Sequence, residues 1–153
     1  MPADVPVLVM TFNRPDTTAQ VLRALNSAKP SRVFVSSDGP RLGTPSDLEL
    51  VEQTRAMVSE TISWNASVQT LFHDRNLGCR QAVLSAVDWF FENVEEGVVL
   101  EDDCVPHPDF LPYCGELLHR YRDDDRVFAI LGDNSLKVTT RGGASYEFFR
   151  YSI

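Results

Sequence analysis

Apolar residues in this chain come as short unbroken runs and as longer stretches with a helical period. Val5-Pro6-Val7-Leu8-Val9-Met10 is the first run and reads as a buried strand. Pro15 stands where a first helical turn tolerates a missing N–H, and Val21, Leu22 and Leu25 supply an apolar stripe. Lys29-Pro30 ends that helix. Arg32-Val33-Phe34-Val35-Ser36 predicts a second strand, closed by the turn Asp38-Gly39-Pro40. Ser46-Asp47-Leu48-Glu49 has the spacing of a capping box, and the helix it opens turns Leu50, Val51 and Met57 inward as far as about Glu60. Val68 to Phe72 alternates like a third strand. Asn76-Leu77-Gly78 turns into an amphipathic helix with Ala82, Val83, Ala86, Val87, Phe90 and Phe91 on one side. Gly97-Val98-Val99-Leu100 predicts a buried strand ending at Glu101, and a helix from about Pro108 to Arg122 follows. Val127-Phe128-Ala129-Ile130-Leu131 predicts a fifth strand.

Strands alternating with helices in this way specify an α/β fold with a mostly parallel sheet flanked by helices. No internal repeat, linker or low-complexity tract interrupts it. The region after Gly132 differs. Arg141-Gly142-Gly143 reads as a loop, and Tyr146, Phe148, Phe149 and Tyr151 crowd the last eight residues. An exposed cluster of that kind invites association. It is expected to dock on the sheet as an added strand or to pair with another chain, as if the polypeptide stopped inside a larger fold.

Composition narrows the function classes. The 153 residues suit one domain with a proper core, and 43% hydrophobic with 24% charged residues is ordinary for a globular protein. A net charge of -8 and a pI near 4.8 argue against a nucleic-acid surface, which needs a basic stripe. No apolar stretch reaches the ~20 residues that cross a bilayer. Met1-Pro2-Ala3-Asp4 lacks the basic start of a signal peptide. Cys79, Cys104 and Cys114 are odd in number and without CxxC spacing, so a reduced setting, the cytoplasm, fits better than a disulfide scaffold or zinc site.

The chemistry concentrates in Glu101-Asp102-Asp103, a carboxylate triplet directly after an apolar strand. In open α/β sheets, ligands bind beyond the carboxyl ends of the strands. Three adjacent carboxylates there repel one another unless donors or a cation hold them, and Mg²⁺ or Mn²⁺ bridging to phosphate is the natural partner. The bland alternative is a solvated acidic turn. Asn13-Arg14, Asp38, the loop from His73 to Arg80, and Asp133-Asn134 fall after other strand ends, so the topology collects them at one edge. Singly, Arg14 reads first as a solvated helix start and Asp38 as a plain turn former, with ligand contact the lesser reading for each; Gly78 is turn chemistry or a place for phosphate to approach helix amides.

Other candidates read as structural. Asp123-Asp124-Asp125 suits a solvated turn at the opposite end of the sheet. His73, His107 and His119 lack paired spacing for zinc. Cys104, beside the triplet, reads as a small buried residue whose acidic neighbours raise its thiol pKa, and Tyr113 and Leu117 as core. GxxxxGK[ST] and GxGxxG are both missing, which removes the P-loop and the ordinary dinucleotide fingerprint.

The ordered set of Pro6 to Pro15, Ser37-Asp38-Gly39-Pro40-Arg41, Arg75-Asn76-Leu77-Gly78-Cys79, Val98 to Cys104, Pro108-Asp109-Phe110 and Gly132-Asp133-Asn134 resembles nucleotide-sugar glycosyltransferases of the GT-A fold. It is most similar to bacterial relatives of N-acetylglucosaminyltransferase I. The resemblance spans roughly residues 5 to 135. It implies a Rossmann-like nucleotide-sugar (donor) binding domain over 1–135 and the start of an incomplete acceptor-side region over 136–153. The triplet stands in the place of the DxD motif. The resemblance implies that Asp103 is the direct ligand of Mn²⁺ (or Mg²⁺), that Glu101 and Asp102 contact ribose and sugar hydroxyls, and that Asp38 pairs with uracil. It puts Arg14 beside base and phosphates and Arg80 near the donor sugar or diphosphate. The expected activity is metal-dependent transfer of a hexosyl or N-acetylhexosaminyl unit from a UDP-sugar to a saccharide or other hydroxyl acceptor.

Such transfer needs charge on the departing diphosphate stabilised, which a carboxylate-held cation does without proton transfer. An inverting enzyme also needs a general base. In the family that carboxylate lies in a second half, and Asp133 is not assigned the role, so the catalytic base is unknown. The alternative function is a non-catalytic nucleotide-sugar-binding fragment lacking the acceptor half. A receiver-type signalling domain fails on residue type, wanting an acidic pair after the first strand and a Lys after the last. A sugar nucleotidyltransferase would carry a Gly-rich basic loop after the first strand, and none is present.

Overall fold

The computed structural model describes residues 4–132 and Tyr146. Four strands, β1 (Val7–Thr11), β2 (Arg32–Ser37), β3 (Ser67–Phe72) and β4 (Val98–Glu101), form one all-parallel sheet in the order β3-β2-β1-β4. Four helices alternate with them: α1 (Pro15–Leu25), α2 (Pro45–Thr61), α3 (Cys79–Asn93) and α4 (Phe110–Tyr121). The register sets Val7 beside both Val33 and Val98, and Val9 beside both Val35 and Leu100. The chain is therefore α/β with a parallel sheet. Among the described residues no helix is long and apolar enough to cross a membrane.

Strand alternation divides the core between two faces. Val7, Val9, Val33, Val35, Val98 and Leu100 face one side, where Val21, Leu22 and Leu25 of α1, Val58 of α2 and Leu111 and Cys114 of α4 cover them. Leu8 and Phe34 face the other, packed by Ala86 and Phe90 of α3. Phe34 meets Phe90 and Trp89 edge-on, at centroid distances of 5.0 and 5.3 Å. Fully burying a ring such as Phe90 contributes about 1.5–3 kcal/mol, and truncating it to Ala would cost about 3–5 kcal/mol because a cavity remains.

Several local expectations change. Residues 127–131 join no strand, and Phe128 is fully exposed, so the fifth strand is not formed among the described residues. An apolar run becomes a strand only where a ladder takes up its N–H and C=O groups. Here Val127 N–H instead closes a turn on Asp124 C=O. β4 is an edge strand of the described sheet, and Val99 and Glu101 are exposed in alternation with buried Val98 and Leu100. It was expected to be buried on both faces. The capping box does not form: α2 begins at Pro45, its N-cap Thr44 makes no side-chain cap bond, and Glu49 accepts from Gln53. Pro at the first helical position already removes one orphan donor. Phe91 lies outside the core, and Trp89 packs toward it instead. Residues 133–145 and 147–153, with Asp133-Asn134 and most of the aromatic terminus, lie outside the described residues.

Candidate functional site

The carboxyl end of the sheet is stitched together before any ligand is considered. Asp38 N–H donates to Thr11 C=O at 3.1 Å, and Thr11 Oγ1 donates to Ser36 C=O at 3.0 Å, so the loops leaving β1 and β2 start side by side. β4 flanks β1 on its other side, with Glu101 in register with Met10. The strand order thus reverses between β1 and β4, the place where crevices open in sheets of this kind.

Arg14 ends the loop from β1 and is the N-cap of α1. Its Nη1 donates to Asp102 Oδ1 at 3.2 Å and to Asp103 Oδ2 at 2.9 Å, so two of the triplet's carboxylates converge on one nitrogen. Asp102 is buried, 8% exposed, and Asp103 is half exposed. Burial pushes the Asp102 carboxyl above its ordinary range. Arg14 pulls it down, Asp103 and Glu101 push it up further, and a hydrogen bond from the Phe12 backbone pulls it down. One shared guanidinium leaves this pair under-neutralised. Glu101 is exposed and makes no side-chain hydrogen bond or ion pair among the described residues.

Asp38 is buried and held by protein on both carboxylate oxygens. Oδ1 accepts the amides of Gly39 and Leu77, both at 2.8 Å, and Oδ2 accepts Asn76 Nδ2 at 2.9 Å. The loop before α3 is thereby tied to the loop after β2. Gly39 makes the approach possible, since a Cβ there would sit 2.4 Å from the Arg75 backbone. Gly78, with φ of 79°, then turns the chain into α3. Arg80 lies in the first turn of α3, at the same end of the sheet. Its side chain is exposed and makes no hydrogen bond or ion pair among the described residues.

Two charged residues hold this end together without having been singled out in the sequence. Asp47 is 1% exposed and accepts Arg41 N–H, Nε and Nη2 at 3.1, 2.6 and 2.9 Å, and Asn13 Nδ2 at 2.9 Å. Those bonds, Arg41's first, hold its carboxyl well below the usual range. Arg55 donates to Ser37 Oγ at 3.1 Å and to His73 C=O at 2.7 Å, clamping the ends of β2 and β3, while burial lowers its pKa. Asp47 sits inside the four residues that mimic a capping box, which hid it. For Arg55, a cation three positions before inward Val58 gave no distinctive signal.

Asp124 is clasped by Arg126, whose hydrogen bonds hold it at about 2. Cys104 is exposed rather than buried, and partial desolvation, with its acidic neighbours, raises its thiol pKa. Leu117 is buried, and Tyr113 packs against the core.

Among the described residues no group of three or more His, Cys, Asp or Glu side chains is arranged to hold a metal ion. Asp102 and Asp103 still match a narrower requirement. Mg²⁺ is usually held by one or two carboxylates, with water and substrate phosphate completing its shell. Their oxygens already address one cationic atom. Comparison with protein-family models, with curated proteins and with solved structures finds no match to this chain.

Proposed function

We propose that this chain is the donor-binding part of a metal-dependent glycosyltransferase with a GT-A, Rossmann-like arrangement, taking a nucleoside-diphosphate sugar, UDP-linked, at the carboxyl end of its sheet. The observation that carries the reading is the meeting of Arg14 with Asp102 and Asp103 where the strand order reverses. A buried carboxylate whose charge is incompletely compensated, in a crevice position, marks a functional candidate.

In this reading Asp103, the more accessible of the two, holds Mn²⁺ or Mg²⁺ directly. Asp102 and Glu101 contact ribose and sugar hydroxyls. The ion supplies charge neutralisation for the departing diphosphate. Asp38 keeps acceptor capacity on Oδ2 for a base N–H beyond the bond from Asn76, and the amides on Oδ1 hold that oxygen in place. Arg14 supplies a planar fork suited to phosphate, and Arg80 contributes positive charge at the start of α3.

Calorimetric titration of UDP into the full chain, with Mn²⁺ and then with chelator, tests the proposal. Binding that needs the metal is expected; equal affinity in both conditions removes the metal role, and no binding in either removes the donor site. Acceptor-dependent release of UDP from a UDP-sugar separates a transferase from a donor-binding module.

A further inference from the structure

We infer that Arg14 is the resident counter-ion of the acidic pair and must leave it before a divalent ion binds Asp103, so that guanidinium and metal compete for that carboxylate. The inference rests on the donor-site reading above. Nη1 lies 3.2 Å from Asp102 Oδ1 and 2.9 Å from Asp103 Oδ2. An ion bound to Asp103 Oδ2 would lie roughly 2.0–2.6 Å from it, inside the 2.9 Å at which Nη1 now sits and beside buried Asp102, so it needs the space that Nη1 fills. Two cations cannot share that space without strong repulsion.

The surroundings let Arg14 swing without dragging its loop. Its side chain is 56% exposed, and its guanidinium makes no further hydrogen bond among the described residues. The neighbouring Asn13 is fastened to buried Asp47, and the Arg14 carbonyl accepts the first helical amide, Thr18 N–H, at 3.0 Å. The backbone is held while the side chain is free to rotate. A diphosphate offers the displaced guanidinium a new bidentate anionic partner. Metal alone therefore binds weakly, and metal and nucleotide each strengthen the other's binding, as reciprocal coupling requires.

The test is titration of Mn²⁺ into the full chain without nucleotide, read by calorimetry and by the paramagnetic resonance signal of free Mn²⁺. Wild type is compared with Arg14→Gln, with Arg14→Lys, and with Arg23→Gln, which removes the same charge from the far end of α1. Arg14→Gln is expected to bind Mn²⁺ about tenfold more tightly, the effect of removing one partly buried ion pair and a repulsive neighbour. Arg14→Lys keeps the competing charge and should stay within about threefold of wild type, and Arg23→Gln within about twofold. Saturating UDP should shrink or reverse the advantage of Arg14→Gln. Unchanged or weaker Mn²⁺ affinity in Arg14→Gln overturns the inference, as does an equal gain in Arg23→Gln; the donor-site reading survives both if UDP binding still needs metal. Failure of every variant to take up Mn²⁺, with or without UDP, overturns the inference and that reading together.

Discussion

Two arginine–aspartate clusters flank the loop that leaves β1, and they treat their carboxylates in opposite ways. On the α2 side, Asp47 receives three bonds from Arg41 and one from Asn13, and its pKa is driven down. On the β4 side, Asp102 shares one Arg14 nitrogen with Asp103, and burial drives its pKa up. Both carboxylates are shielded from water, so exposure does not separate them. The number of donors per negative charge does. A saturated carboxylate holds the protein together; an under-served one stores unfavourable charge that a cationic or hydrogen-bonding ligand can relieve.

The largest effect should come from the saturated cluster. Asp47→Ala removes four hydrogen bonds to a buried carboxylate and leaves Arg41, whose side chain is half exposed, to solvent, so it is expected to lower the melting temperature by roughly 5 °C. A loss of only a degree or two in thermal denaturation would mean that the cluster is decorative. Next comes ligand binding: with Mn²⁺ present, Asp103→Ala should weaken UDP binding at least tenfold, and more than Glu101→Ala or Asp102→Ala, since a carboxylate bonded to the ion is not replaced by water without losing neutralisation. Calorimetry across the three variants orders them.

The pH dependence should split by sign. A depressed pKa such as that of Asp47 contributes stability above the ordinary carboxylate value of 3.8 and loses it as pH falls below. The stability gap between wild type and Asp47→Ala should therefore close in acid. The raised pKa of Asp102 works the other way, because its ionisation costs stability as pH rises through the folded-state value. Asp102→Asn should melt level with or slightly above wild type near neutral pH, with its relative advantage growing from acid to neutral. Parallel curves for the two variants would erase the contrast. The smallest effect belongs to Arg80→Gln, which removes an exposed, screened charge and should weaken UDP binding by about twofold.

The regular part of this fold was legible because its periods are clean. Val7 and Val9 alternate with Leu8, and Val21, Leu22 and Leu25 recur at helical spacing, so β1 and α1 fall where the pattern puts them. The misreadings arise where pattern lacks a partner. Residues 127–131 are apolar enough for a strand, yet only a neighbouring ladder makes one. Val99 reads as core because β4 is apolar, but strand position within the sheet decides coverage. In the site, residue type announced the triplet, and topology brought Arg14 to it. The lock on Asp38 by Asn76 and Leu77, and that on Asp47 by Arg41, depend on loop paths that no spacing encodes.

Gly39 carries a consequence for motion. With no side chain between them, the loop after β2 and the loop before α3 lie backbone against backbone, and a single oxygen of Asp38 accepts an amide from each. Neither loop can open while the other stays closed without abandoning one of those bonds. The two segments should therefore behave as one cooperative unit, with the amides of Asn76 and Leu77, which donate across to Pro40 C=O and to Asp38, exchanging with deuterium at a common opening free energy. An Ala at position 39 would wedge the unit apart and let the two amides exchange at unrelated rates.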